Sequence, residues 1–355
     1  MPGQFQPGQL QPGQFQPGQF QPGMAPGPTQ GMAPGVPGFH GAAHKPGAIP
    51  LRPLGLGDMY DGALKIIRFN PKATVGSAVL VASVAMAVPI VITAVVTFAF
   101  GLTLDLEATS FSTSEVVGLV VSVGSLVLGL VLQSLGLVLV TGMVAHVTAA
   151  AAIGQRLSMG EAWARTRGKR WRLIGLTTLL GLLSLLGFAA YAALWIPVIQ
   201  LGDLGTAVIF GLVTLPLFLV ALWLFWVRVY YLPVPALMLE PVGVFGAIGR
   251  GYRLTRKAFW RTFGIGMLTL LVTSIAGQVL ATPIAVVGQV AAVAGATSEY
   301  GALILIVSQA LSSVVTAAFV GPFTSAVTSL QYLDQRIRKE AYDVELMTQA
   351  GITAR

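Results

Sequence analysis

The chain has 355 residues, of which 55% are hydrophobic and only 10% charged, with a formal net charge of +8 and no cysteine. An ordinary soluble domain carries about 25% charged residues, and a mean hydropathy of +0.78 over the whole chain leaves too little polar side chain to cover one globular core. Disulfides, thiolate metal sites and cysteine nucleophiles are excluded outright.

Residues 1–50 form a separate region. From Pro2 to Gly23 the chain repeats Pro-Gly-Gln-Phe/Leu-Gln, then decays into Pro/Gly/Met/Ala sequence. Gly and Pro at this density oppose both helix and strand, and Phe5, Leu10, Phe15 and Phe20 are too scattered to build a core. This reads as a disordered cytoplasmic tail, either a tolerated extension or a self-associating segment. It lacks the basic start, short apolar run and cleavage site of a signal peptide. His40 and His44 lie within it, where no helix brings them together as metal ligands.

From residue 51 to 333 six uncharged stretches predict a membrane domain: Ala73–Leu104, Val116–Gln155, Leu173–Gly202, Leu204–Val227, Thr262–Ser298 and Tyr300–Leu333. Each exceeds the roughly twenty apolar residues that a helix needs to cross a hydrocarbon layer of about 30 Å. Asp203 between Gly202 and Gly205 predicts a tight turn between spans three and four. Pro89, Pro197, Pro216, Pro283 and Pro322 fall inside spans and predict kinks or interruptions. The long fifth stretch is broken at Thr282-Pro283, which leaves open whether that span is continuous or a discontinuous helix.

A short basic amphipathic segment precedes each pair of spans. In the first, Leu56, Met59, Tyr60, Ala63 and Ile67 recur at helical spacing, opposite Asp58, Asp61, Lys65 and Arg68; Asp61 and Lys65 form an i,i+4 pair. The second opens on Ser158-Met-Gly-Glu161, the form of a capping box, followed by Arg165, Arg167, Lys169, Arg170 and Arg172 around Trp171. In the third, Phe245, Ile248 and Tyr252 form an apolar face beside a cationic stripe of Arg250, Arg253, Lys257 and Arg261. The fold class expected is therefore all-α: three helical hairpins, each preceded by an interfacial helix, with a C-terminal helix and tail over residues 334–355.

All 21 Lys and Arg residues lie before span one, between spans two and three, between the end of span four and span five, or after span six. The other connections hold Asp105, Glu107, Glu115, Asp203 and Glu299 and no basic residue. The positive-inside rule then places the N-terminus, both long loops and the C-terminus in the cytoplasm, with the domain in the plasma membrane. Basic residues that flank spans point to anionic lipid headgroups as partners, with a membrane-protein partner as a second possibility, and not to nucleic acid. The candidate contacts are Lys65, Arg68, Arg165, Arg167, Arg250, Arg253, Lys257 and Arg261; a purely topological role is the competing reading.

No P-loop, GxSxG, HExxH or carboxylate cluster occurs, so no catalytic residue, cofactor or metal is expected and the chain reads as a non-enzyme. Arg228 is expected to snorkel to the headgroups, and His146 to make one interhelical hydrogen bond. Gln133, Gln278, Gln289 and Gln309 are the polar landmarks of the spans.

Two stretches carry a resemblance: Pro50-Leu-Arg-Pro-Leu-Gly-Leu-Gly-Asp-Met-Tyr-Asp-Gly-Ala63, and the tail Tyr332-x-Asp334-x-Arg336-Ile337-Arg338-Lys339-Glu340-x-Tyr342-Asp343-x-Glu345. Over residues 50–345 the chain resembles the membrane domain named after glycerophosphoryl diester phosphodiesterases, in the stand-alone form found in high-GC Gram-positive bacteria. The resemblance implies the membrane architecture and no catalytic residue, because the hydrolase of fused members is a separate soluble domain. Two functions follow as expectations: a membrane scaffold or accessory subunit, or a transporter or lipid-handling protein with a midplane site near the fifth span. Tightly filled spans favour the first; a mid-depth polar cavity reaching Gln133, Gln278 or Gln289 favours the second.

Overall fold

A computed structural model describes residues 47–100, 113–295 and 300–351. The repeats of the tail and the acidic connections at Asp105 and Glu299 lie outside these residues. Within them the protein is helical, and six helices are long and apolar enough to cross a membrane. It is a multi-pass membrane protein.

Three hairpins, α2–α3 (Ser77–Phe100, Thr113–Ala152), α5–α6 (Arg170–Leu201, Leu204–Phe225) and α9–α10 (Phe259–Ala294, Gly301–Glu340), follow the short helices α1 (Leu56–Phe69), α4 (Met159–Arg165) and α8 (Val244–Thr255). The repeat shows in the caps and in burial. Asp58 accepts from the cap N–H of Gly55 at 2.9 Å, and Glu161 from that of Ser158 at 2.7 Å, each acid satisfying an N–H that the helix leaves without a partner. At matching offsets from the cap, Met59, Ala63 and Ile66 are buried in α1 and Ala247, Gly251 and Leu254 in α8; Ala162 and Thr166 occupy the first two of these places in the second unit. Periodic apolar positions thus set which face each short helix buries.

Helices α2, α3, α9 and α10 pack side by side, at distances that small residues permit. A Cβ at Gly136 of α3 would stand 2.2 Å from Val81 of α2, and one at Gly288 of α9 would stand 2.1 Å from the Ser308 side chain of α10. Between apolar helices in a bilayer, van der Waals packing of this kind replaces the hydrophobic effect as the cohesive force. The α5–α6 hairpin is different. Leu173, Leu176 and Leu180 are buried, but most large apolar residues beyond them in α5 are exposed, and α6 buries none of its residues. Asp203 caps α6 at Thr206 N, 2.8 Å away, after the two-residue turn.

Several expectations are corrected. Helix α9 runs unbroken through Pro283, as the other spans do through Pro89, Pro197, Pro216 and Pro322. Pro283 lacks the N–H that would reach the Val279 carbonyl, and α9 packs there against α10, where Ser312 donates to the nearby Ala281 carbonyl, 3.4 Å away. The packed body reaches back to Gly47, where a Cβ would meet the Ala151 carbonyl at 2.2 Å, and Ile49 is fully buried. At its far end α10 carries straight on through residue 333 to Glu340, and only Ala341, in left-handed conformation (φ 50°), separates it from α11 (Tyr342–Gln349). A helix absent from the expected plan, α7 (Pro233–Leu239), follows a wide π turn at Trp226–Tyr230. His146 Nε2 is buried without a hydrogen-bond partner among the described residues, where one interhelical bond was expected.

Candidate functional site

The C-terminal turns of α10 hold the short helices together. Asp334, fully buried, accepts from Leu54 N at 2.8 Å and pairs with Arg261 and Arg338, each at 2.9 Å. Arg261 and Arg338 both donate to the Leu54 carbonyl as well. The two stretches of the resemblance therefore meet each other, 280 residues apart. On the other side of α10, Glu240 at the end of α7 accepts from Arg250 through Nε (3.0 Å) and Nη2 (2.9 Å), and from the Tyr332 hydroxyl. Glu340 takes a further bond from Arg250 at 2.6 Å, and Arg336 reaches both acids while lying 3.5 Å over the Tyr342 ring. Burial opposes the charge of Arg250, but the hydrogen bonds it donates to Glu340 and Glu240 outweigh this and hold the guanidinium above its ordinary pKa. Lys169 donates to the carbonyls of Met238 and Glu240 at 2.8 and 2.7 Å, closing the C-terminus of α7. Burial pulls its ammonium below the usual lysine pKa, the charge of Arg172 adds to this, and Glu240 opposes it.

This network divides the expected contact residues. The supposed stripe is not one helical face: α8 ends at Thr255, Lys257 lies in the following turn and Arg261 belongs to α9. Arg250 and Arg261 turn inward to Glu240, Glu340 and Asp334, because a carboxylate on a neighbouring helix offers a shorter, directional partner than a mobile headgroup. Lys65 is exposed and pairs with Asp61 at 2.5 Å. Arg68, Arg165, Arg167, Arg253 and Lys257 are exposed on the same short elements.

Beneath the network lies a cavity of about 890 Å³ between α3, α9 and α10. Its lining carries amides and hydroxyls: Gln133, Gln278, Gln309, Ser312, Ser313 and Thr324 among others, and among the described residues no acidic or basic side chain. Gln133 and Ser313, from the middles of α3 and α10, bond to each other at 2.7 Å. Gln278 and Gln309 are exposed and make no hydrogen bond to the protein among the described residues, and Thr324 Oγ1 is buried without one. Gln289 does not line the space. One wall is short. Helix α5 contributes only Thr177 and Leu180, and α6 nothing, so past Leu180 neither helix of that hairpin walls the groove, and their apolar side chains there are largely exposed.

Gln133, Gln278 and Gln309 stood out in the sequence as polar residues within spans. That they converge with eleven Ser and Thr hydroxyls did not, since Ser and Thr at helical spacing read equally as packing residues. Glu240, an acid among basic residues after span four, was the overlooked sign of the network. No family model, curated protein or solved structure matches this chain.

Proposed function

We propose that this is a lipid-handling membrane protein, whose groove receives from the bilayer an amphiphile with an uncharged, hydroxyl-rich headgroup. The observation that carries this reading is the pair of uncommitted amides, Gln278 and Gln309, in a laterally open groove at mid-span depth. Two amides without protein partners in hydrocarbon are costly unless water or a ligand satisfies them. The absence of acid and base from the described lining matches a headgroup without net charge. Leu130, Leu180, Leu270 and Val320 on the same walls match hydrocarbon chains. No catalytic step is part of the proposal. The resemblance to the phosphodiesterase-associated membrane domain remains part of it, supported by the pairing of Leu54 with Asp334.

The protein extracted from native membrane is expected to carry such an amphiphile in near-stoichiometric amount, identified by mass spectrometry. The double replacement Gln278→Leu and Gln309→Leu should lose it while leaving delipidated stability unchanged, since neither amide bonds to protein. A parent protein that carries no such molecule, or a double variant that retains it, removes the proposal.

The scaffold reading is supported by a separate observation, the exposure of Arg165, Arg167, Arg253 and Lys257 at the ends of the bundle elements that precede spans. In both readings the basic end faces the cytoplasm. The natural lack of cysteine makes the test clean. Leu204→Cys, on the α5–α6 turn, should react with an impermeant thiol reagent in intact cells, and Arg256→Cys should not. The reverse labelling inverts the orientation.

A further inference from the structure

Trp226 and Tyr230 line the groove, and Arg228, between them in the same π turn, reaches a different environment. Its guanidinium lies 5.3 Å from the centre of the Tyr252 ring on α8 and 5.7 Å from that of Phe259 at the start of α9. Its Nε is buried without a hydrogen-bond partner, and among the described residues no carboxylate pairs with it. This sets it apart from Arg250, Arg261, Arg336 and Arg338, each held by an acid. The surroundings are aromatic. Phe259 stacks with Phe263, which meets Trp223 edge-on at 5.5 Å, and Trp260 beside them is 79% exposed. Arg256 and Lys257, exposed in the turn before Phe259, add positive charge to the same corner.

A half-buried guanidinium whose Nε has left water, and which meets ring faces but no carboxylate among the described residues, lacks an anion. Cation–π contact replaces part of its hydration, but its fork of N–H donors is made for a planar or tetrahedral oxyanion. Tryptophan and tyrosine gather where acyl chains give way to headgroups, and the anion abundant at that depth is the phosphate of a glycerophospholipid. We infer that Arg228, with the Tyr252 and Phe259 rings as its walls, is a specific site for one phospholipid phosphate at the α8–α9 corner. The acyl chains lie along the exposed aromatic edge of α9. The site does not depend on the groove reading: it is a different ligand chemistry on a different face of the turn.

The test uses the full chain, purified in detergent, with lipid counted by native mass spectrometry. Phosphatidylglycerol should bind the parent protein at one tight site, and diacylglycerol of the same chains, which lacks the phosphate, should not compete for it. Arg228→Gln should weaken that site about ten- to a hundredfold, the loss of one charge-assisted hydrogen-bonded pair. Arg228→Lys should weaken it less, and Lys72→Gln, an exposed charge between α1 and α2, should leave it unchanged. Excess inorganic phosphate should fail to displace the lipid. Equal binding of diacylglycerol by the parent protein would overturn the inference without any variant. So would a tight site that survives in Arg228→Gln, or one that free phosphate empties.

Discussion

Asp334→Asn should lower the stability of the protein by about 3 kcal/mol, the low end of the range for removing one partner of a buried ion pair. The carboxylate is fully buried while Arg261 and Arg338 keep 31% and 36% of their side-chain exposure, so solvent softens the loss. Asparagine retains an oxygen for Leu54 N but carries no charge, and two guanidiniums are left facing each other across a neutral amide. The effect should be read as a drop of roughly 5–10 °C in unfolding temperature in detergent. Asp61→Asn is the control: its pair with Lys65 is exposed and should count for less than about 1 kcal/mol. Amide exchange should rise first in α1, because Leu54 lies immediately before its cap. An Asp334→Asn protein as stable as its parent would show that apolar contacts alone hold α1 to α10.

Glu240→Gln should release a different part of the molecule. Glu240 accepts from Arg250 and Tyr332 and pairs with Arg336, and the side chains of Glu240, Arg250 and Arg336 are each less than a fifth exposed. Neutralising it leaves Arg250 to Glu340 alone and removes the tie from α7 to α10, at a cost of about 2–4 kcal/mol. Exchange should then quicken across residues 233–255, with α1 unchanged. The groove wall formed by Trp226, Tyr230, Tyr231 and Val234 lies on the segment leading to Glu240, so loosening α7 should also weaken retention of the bound amphiphile. Equal quickening in α1 and α8 would mean that the two sides of the network act as one unit and that Asp334 and Glu240 have no separate roles.

The two effects differ because the short helices are anchored one by one. Each was visible in the sequence as a periodic basic segment, but its anchor was not. Asp61 with Lys65, and Ser158 with Glu161, make the local bonds their spacing predicts, and the caps made by Asp58 and Asp203 are as local, within three residues along the chain. Arg250 and Arg261 do not lie on the surface their spacing drew for them. Spacing along a helix fixes direction only while the helix continues, and α8 stops at Thr255. Pro283 taught the opposite lesson: local propensity predicted a break, and packing against α10 kept the helix whole.

Composition, hydropathy and helical periodicity determined by themselves that the chain is a six-span α-helical membrane protein built from three repeated units. These properties are local: a twenty-residue apolar run must form its own backbone hydrogen bonds in hydrocarbon whatever its neighbours are. Tertiary structure alone decided which arginines are paired with acids and that Arg228 is left to the Tyr252 and Phe259 rings. It also decided that scattered Gln, Ser and Thr residues face one groove, and that α5 and α6 leave that groove open. Those outcomes depend on contacts such as Leu54 with Asp334, 280 residues apart, and Gln133 with Ser313, 180 apart. Helix rotation and the choice of neighbour set them, and no periodicity within a single helix records either.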